Sequence, residues 1–255
     1  MLYLLTNDDG IYAKGLSALY RELSKDAECL IVAPEIEQSA VGHAITIFRP
    51  LMVRSANKDG TFLGYAVAGT PADCVKIGIR ELAGKPVDLV VSGINRGANV
   101  GINVLYSGTV SAATEGAIMG VPSLAVSLDT HRDADFSFAA GFARKMASFI
   151  MEHHTANNVA INVNVPALPE AEIKGIAVTK QGRAQATECF EKRTDPRENI
   201  YYWLAGAMPN SVSEAPDSDV SALARGMISI TPIYYDLTRH DLLADLDRKI
   251  KQELR

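Results

Sequence analysis

The sequence predicts an α/β fold: a mostly parallel sheet flanked by helices, with a protruding β-hairpin and a C-terminal arm of strand and helix. Three observations lead there. Short apolar runs rich in Val, Ile and Leu recur along the first two-thirds of the chain. Amphipathic helical patterns separate them. The residues just past each run are polar and glycine-rich, as at the ends of buried parallel strands.

The elements follow in order. Leu2–Thr6 is a buried strand. Leu16, Leu19, Tyr20 and Leu23 then share one helix face. Cys29–Ala33 is a second strand, stopped by Pro34. Thr70 as N-cap and Pro71 at the first helical position open a helix over Ala72–Leu82, which leaves Asp73 and Cys74 on its face. Val87–Ser92 is a third strand, Gly108–Met119 a helix, and Ser123–Ser127 a fourth strand. Phe136–Glu152 is a helix with Ala139, Phe142, Met146 and Phe149 on one side, and Val159–Val163 a fifth strand. Right-handed crossovers should join the parallel strands.

Two stretches depart from this alternation. Residues 45–68 alternate about the turn Asn57-Lys58-Asp59-Gly60, the pattern of a hairpin, expected to project from the domain. Beyond Pro166, residues 174–180, 199–204 and 227–231 read as strands, with a polar connection over Pro209–Ser221. Leu242, Leu243, Leu246, Ile250 and Leu254 make an apolar helical face that must pack on the chain's own core or on a partner subunit. The expected division is a core over 1–166, hairpin included, and an extension over 167–255.

The chain has 255 residues, a formal net charge of −5 and a pI near 5.6. An acidic total argues against a broad surface for duplex nucleic acid, but not against a small anion beside a bound cation. Cys29, Cys74 and Cys189 are too few and too scattered for a disulfide framework or a zinc site. Met1 runs straight into the first strand with no basic leader, and no run is long enough to span a bilayer. The expectation is a cytoplasmic protein with no membrane contact.

Ligands of an open parallel sheet bind beyond the carboxyl ends of its strands, and four loops there carry chemistry. Asp8 and Asp9 sit where the first strand ends, in Thr6-Asn7-Asp8-Asp9-Gly10. Adjacent carboxylates repel unless a cation lies between them, and a hard divalent ion would serve. A solvated turn with one Asp capping a helix reads equally well from this loop alone. In the second loop, Ser39 and His43 suggest a nucleophile and base, but the strand-to-helix elbow motif is missing. His43 then supports other groups, and Ser39 could be a neutral oxygen ligand if it lies beside the first loop.

The third loop, Ser92–Gly101, lacks the dinucleotide glycine pattern. Its Asn95 and Asn99 suit a divalent ion or a phosphate. Arg96 and the basic stretch Arg183–Arg197 could meet an anion or simply be solvated. In the fourth loop, Ser107, Gly108 and Thr109 open a helix whose N-terminus could hold a phosphate, though a plain N-cap by Ser107 fits as well.

These segments together resemble one family. Leu5–Gly10, Ala33-Pro34 with Ser39-Ala40 and Gly42-His43, Gly69–Val75, Ser92–Asn95 with Gly97, Asn99 and Gly101, Tyr106–Val110 with Ala113 and Glu115-Gly116, Asn162–Pro166 and Ser229–Pro232 are similar, in this order, to the SurE (survival protein E) family. The match is weakest over residues 167–225. The resemblance implies a Rossmann-like domain and a metal-dependent phosphatase acting on nucleoside 5′- or 3′-monophosphates, in some members also on short polyphosphate. It implies one divalent ion, Mg²⁺ or Mn²⁺, on Asp8, Asp9, Ser39 and Asn95. Phosphate would lie near Asn99, Ser107, Gly108 and Thr109, with Asn7 and His43 supporting the ligands from behind. It also implies a homodimer or homotetramer with an exchanged C-terminal arm.

The reaction expected is hydrolysis by a metal-activated water, with Asp8 or Asp9 as general base. Two alternatives predict different outcomes. A covalent route through Asp8 would form an aspartyl-phosphate, although such enzymes space their acidic pair with one residue between. A nucleotide-binding protein without catalysis would bind substrate and release no phosphate.

Overall fold

The computed structural model describes residues 1–153, 158–183, 186–209 and 214–254. In chain order it contains β1 (Leu2–Thr6), α1 (Lys14–Leu23), β2 (Glu28–Pro34), β3 (Val53–Lys58), β4 (Thr61–Val67), α2 (Pro71–Ile77), β5 (Leu89–Arg96), α3 (Gly108–Ile118), β6 (Ser123–Asp129), α4 (Ser137–His153) and β7 (Ala160–Pro166). There follow β8 (Ile176–Val178), β9 (Ala186–Thr194), β10 (Ile200–Pro209), α5 (Asp219–Ala224), β11 (Ile228–Ile233) and α6 (Leu243–Glu253). A nine-stranded sheet runs β3-β4-β2-β1-β5-β6-β7-β11-β8. Strands β4, β2, β1, β5, β6 and β7 are parallel, while β3 and β11 run against their neighbours β4 and β7.

Alternation along the central strands divides the core between the two faces. Leu5, Val91 and Val126 pack with Leu16 and Leu19 of α1 and with Ala143 and Ile150 of α4. Leu4, Val90 and Val32 point the other way, against Cys74 and Val75 of α2 and Ala112 of α3. Each fully buried Leu or Ile stabilises the fold by roughly 1.5–3 kcal/mol before entropy is counted. The helix over 72–82 is regular only to Ile77 and continues as a π-turn over Gly78–Leu82. Its start carries the expected Thr70 cap, to which Asp73 adds a reciprocal bond. Asp73 is buried rather than a surface helix residue, and it also accepts from the Thr46 amide at 2.9 Å and from its hydroxyl at 2.7 Å.

The hairpin over 45–68 forms, with strands Val53–Lys58 and Thr61–Val67, and its base is tied into the main sheet. Strand β4 pairs in parallel with β2, Val32 opposite Tyr65 and Pro34 opposite Val67, so β3 and β4 extend the main sheet. Gly64 makes this approach possible, because a Cβ there would lie 2.4 Å from the Ile31 carbonyl oxygen. The hairpin that stands apart is β9–β10, a separate two-stranded sheet. Strand β9 had no expected counterpart, since its charged alternation Glu188-Cys189-Phe190-Glu191-Lys192-Arg193 shows no apolar run.

Residues past Pro166 also join the main sheet. Strand β11 pairs antiparallel with β7, and β8 pairs with β11. Part of the polar connection over Pro209–Ser221, residues 210–213, lies outside the described residues, and its end forms the short α5, capped by Ser218. Among the described residues no helix is long and apolar enough to cross a membrane.

Candidate active site

The sheet brings the loops after β1, β2, β5 and β6 to one end, around a cleft of about 430 Å³. Asp8, Asp9, Ser39, Asn95, Asn99 and Ser107 all line it. Gly108, Thr109, Asn7 and His43 do not.

The turn after β1 is built by its own polar groups. The Asn7 amide donates to the Gly10 carbonyl at 2.9 Å, and the Gln38 amide donates to the Asp8 carbonyl at 2.8 Å. The second bond fastens the Asp8-Asp9 turn to the loop carrying Ser39. Asp8 is only 7% exposed. The Thr109 N–H donates to its Oδ2 at 3.0 Å, and the Thr109 hydroxyl donates to its Oδ1. Gly108 lets the start of α3 come this close, since a Cβ there would lie 2.8 Å from the Asp8 Cβ.

The α3 N-terminus therefore already holds an anion, the carboxylate of Asp8. This bears on the expectation for Thr109. Thr109 is fully buried and spends both donors on Asp8, so it stands behind the cleft wall rather than facing a phosphate. Ser107 caps the helix, its side chain accepting from the Val110 N–H at 3.0 Å. Its hydroxyl proton remains available to the cleft it lines.

Burial raises the Asp8 carboxyl above its ordinary range, against the two Thr109 bonds that favour its charge. Asp9 is pushed up to about 6, first by burial and then by the charge of Asp8. The Arg96 N–H, 3.4 Å from Asp9 Oδ2, opposes this only weakly. Two carboxyls held at unfavourable charge, with no cationic side chain bonded to either among the described residues, form the environment that a divalent cation relieves.

Neutral oxygens complete the set. Strand β5 runs four residues further than expected, to Arg96. Its register against β6 shifts between Gly93 and Asn95, which sets Asn95 opposite Ser127. The Asn95 amide nitrogen donates to the Gly97 carbonyl at 2.8 Å, leaving the amide oxygen as the end open to a cation. The Ser39 hydroxyl donates to Glu37 Oε1 at 2.5 Å and keeps its lone pairs. Among the described residues no three or more His, Cys, Asp or Glu side chains cluster to hold a metal. The candidate set is two carboxylates with two neutral oxygens, which suits Mg²⁺ or Mn²⁺ better than a softer ion.

His43 is not placed as a base for Ser39. Its Nε2 lies 2.7 Å from Glu115 Oε2, and the Lys76 ammonium donates to the other Glu115 oxygen at 2.8 Å. Burial works to raise the Glu115 carboxyl, but His43 and Lys76 hold it below its ordinary value. With Gly42 donating to the Tyr106 carbonyl at 2.9 Å, this pins the Ser39 loop to α3.

Asn99 is gripped from below. Its N–H donates to Asn164 Oδ1 at 2.7 Å, its side-chain amide donates to Ser127 at 2.8 Å, and its carbonyl accepts from Asn162 at 2.8 Å and Asn164 at 3.1 Å.

Sequence reasoning passed over Glu37, Asn103 and His131, which also line the cleft. The rule that ligands bind past strand ends reaches His131, two residues beyond β6. Asn103 sits in the 3₁₀ turn Gly101–Leu105, which apolar periodicity does not report. Arg96 lines the cleft, whereas no described residue of 183–197 does.

Comparison with known proteins identifies the family. The family model described as "Survival protein SurE" matches residues 3–188. A protein of Syntrophus aciditrophicus (strain SB) named 5'-nucleotidase SurE is 71% identical over 253 residues, covering 99% of this chain and 95% of its own length. Another of that name, from Syntrophobacter fumaroxidans (strain DSM 10017 / MPOB), is 49% identical, covering 97% of this chain and 99% of its own. The crystal structure of the SurE protein from Aquifex aeolicus superposes with a TM-score of 0.84 at 37% identity, covering 98% of this chain and 99% of its own. On sequence and fold, the chain belongs to the survival protein SurE family.

Proposed function

We propose that this chain is a phosphoric monoester hydrolase that cleaves nucleoside 5′-monophosphates, using one divalent ion, Mg²⁺ or Mn²⁺. The observation that carries the reading is the Asp8-Asp9 pair, its carboxyls raised by burial, sharing one cleft with Ser39 and Asn95. The relatives named 5'-nucleotidase supply the substrate class. Nucleoside 3′-monophosphates and short polyphosphate belong to the same proposal as secondary substrates.

When bound, the ion supplies Lewis acidity toward the phosphoryl group and acidifies water. The chain's own groups do the rest. Asp8, locked by Thr109, orients and does not move. Among the described residues Asp9 carries one long hydrogen bond, so it is the carboxylate with capacity to take the proton of the attacking water. Arg96, the Ser107 hydroxyl and the Asn99 amide bound the side of the cleft where phosphoryl oxygens would lie.

The extension supports assembly. Phe190, Trp203 and Leu204 of β9–β10 and Leu243, Leu246 and Ile250 of α6 are exposed, and a second copy of the chain would cover them in a dimer or tetramer. A cytoplasmic location goes with this reading.

The test is phosphate release from nucleoside 5′- and 3′-monophosphates and tripolyphosphate, each with Mg²⁺, Mn²⁺, Ca²⁺ or chelator. We expect 5′-monophosphates to be cleaved fastest, with release lost in chelator. Undiminished release in chelator contradicts the metal, and binding without release contradicts catalysis.

A further inference from the structure

The cleft wall from Asn99 to Ser107 is held by two separate parts of the chain. Strands β6 and β7 hold Asn99 through Ser127, Asn162 and Asn164. Two residues on, the C-terminal extension takes over. The Gly101 N–H donates to Asp219 Oδ2 at 3.1 Å, and the Gly101 carbonyl accepts from the Gln181 side chain at 2.8 Å. Gly101 begins the 3₁₀ turn that carries Asn103 into the cleft and leads through Tyr106 to Ser107.

Asp219 is wholly buried, with no cation bonded to it among the described residues. Its Oδ1 accepts from the Gly182 N–H and the Val220 N–H, each at 2.8 Å. Gly182 stands just before the β9–β10 hairpin, and Asp219 follows it. The two ends are also joined directly: the Asp219 N–H donates to the Lys180 carbonyl at 3.0 Å, and the Lys180 N–H donates to the Asp217 carbonyl at 3.1 Å. One carboxylate therefore gathers three backbone N–H groups: the root of the hairpin, the start of α5 and the substrate loop. A buried charge satisfied only by backbone donors costs more than a neutral acceptor at a purely structural junction would. Its two oxygens are what allow a single side chain to join all three.

We propose that Asp219 is a positioning residue for substrate: by holding Gly101 it sets the Asn99–Ser107 wall and couples that wall to the root of the β9–β10 hairpin. This rests on the cleft being the phosphate site. Asp219 has no hydrogen bond to Asp8, Asp9, Ser39 or Asn95, so its loss should leave the cation site intact. An amide at this position offers one oxygen and a donor, which faces either Gly101 or Gly182 with the wrong group.

The experiment compares the full-length wild type with Asp219→Asn and Gln181→Ala. It measures KM and kcat for a nucleoside 5′-monophosphate at saturating Mn²⁺, and Mn²⁺ binding without substrate by the loss of free Mn²⁺ signal. For Asp219→Asn we expect KM to rise about tenfold with a smaller change in kcat, as for loss of a charge-assisted hydrogen bond. Gln181→Ala should shift KM in the same direction by about threefold, as for loss of a neutral bond. Mn²⁺ binding should stay at the wild-type value in both. An unchanged KM in a folded Asp219→Asn protein overturns the proposal. If that variant does not fold, an unchanged KM in Gln181→Ala overturns it. Mn²⁺ binding that weakens in step with KM also overturns it, since the whole cleft would then have been disturbed. No turnover in the wild type would instead overturn the reading of the cleft itself.

Discussion

The carboxyl-end cleft and the C-terminal hairpin and helix treat their side chains in opposite ways. In and behind the cleft, polar residues are paired within one chain: Asp8 with Thr109, Asn99 with Asn162 and Asn164, and Glu115 with His43 and Lys76. In the extension, apolar residues are exposed. Phe190, Trp203 and Leu204 of β9–β10, and Leu243, Leu246 and Ile250 of α6, lie open, and α6 buries no residue at all. Buried polar groups without partners are costly, and so are exposed apolar faces of this extent. The first region meets most of its requirement inside the chain and leaves the Asp8-Asp9 pair to a cation, whereas the second leaves its apolar faces uncovered within one chain. On the proposed reading, chemistry is a property of one chain and assembly a property of two.

The largest effect should come from breaking the cleft. Replacing Asp8 or Asp9 by Asn should lower kcat/KM by about a thousandfold or more while circular dichroism stays native, because each removes charge from the cation site without removing volume. Activity within tenfold of wild type in both variants would refute the assignment.

A second, separable effect should come from breaking the extension. Deleting residues 238–255 removes α6 and should lower the solution mass measured by light scattering, while the cleft residues keep their contacts. An unchanged mass would mean that α6 is not an assembly element.

The smallest effect is electrostatic. Burial pushes the Asp9 carboxyl up from an ordinary 3.8 to about 6. The folded state therefore holds a proton that the unfolded state has lost between those values. In metal-free protein, stability should fall as pH rises from about 4 to about 6. Asp8, also raised, adds to the same trend. Divalent ions should reverse it and release roughly one proton per ion near pH 5.5. Calorimetry in buffers of different ionisation enthalpy measures that release; none would contradict the raised carboxyl.

The same contrast explains what could be read without coordinates. Five parallel strands and their helices were legible because burial on both faces writes continuous apolar runs, as in Leu2–Thr6 and Ser123–Ser127. The cleft residues Asp8, Asp9, Ser39, Asn95, Asn99 and Ser107 were legible as types, since four strand-end loops carry them together, although turns and caps use the same residues. Their pairing was not. Thr109 looked like a phosphate donor because one-dimensional spacing cannot tell that Asp8 already fills the helix N-terminus. Likewise the hairpin over 45–68 looked free, since the pairing of Tyr65 with Val32 is a long-range fact. Asp219 carried no local signal, because its partners Gly101 and Gly182 are far away in sequence.

The central claim is that Asp8, Asp9, Ser39 and Asn95 together hold one divalent ion. Titration of Mn²⁺ into metal-free protein, followed by the signal of free Mn²⁺, tests it most directly. One ion per chain is expected in the wild type, with binding weakened at least about tenfold in each of Asp8→Asn, Asp9→Asn, Ser39→Ala and Asn95→Ala, roughly the loss of one ligand contact. Wild-type affinity in both aspartate variants, or a protein that binds no Mn²⁺ at all, would contradict it.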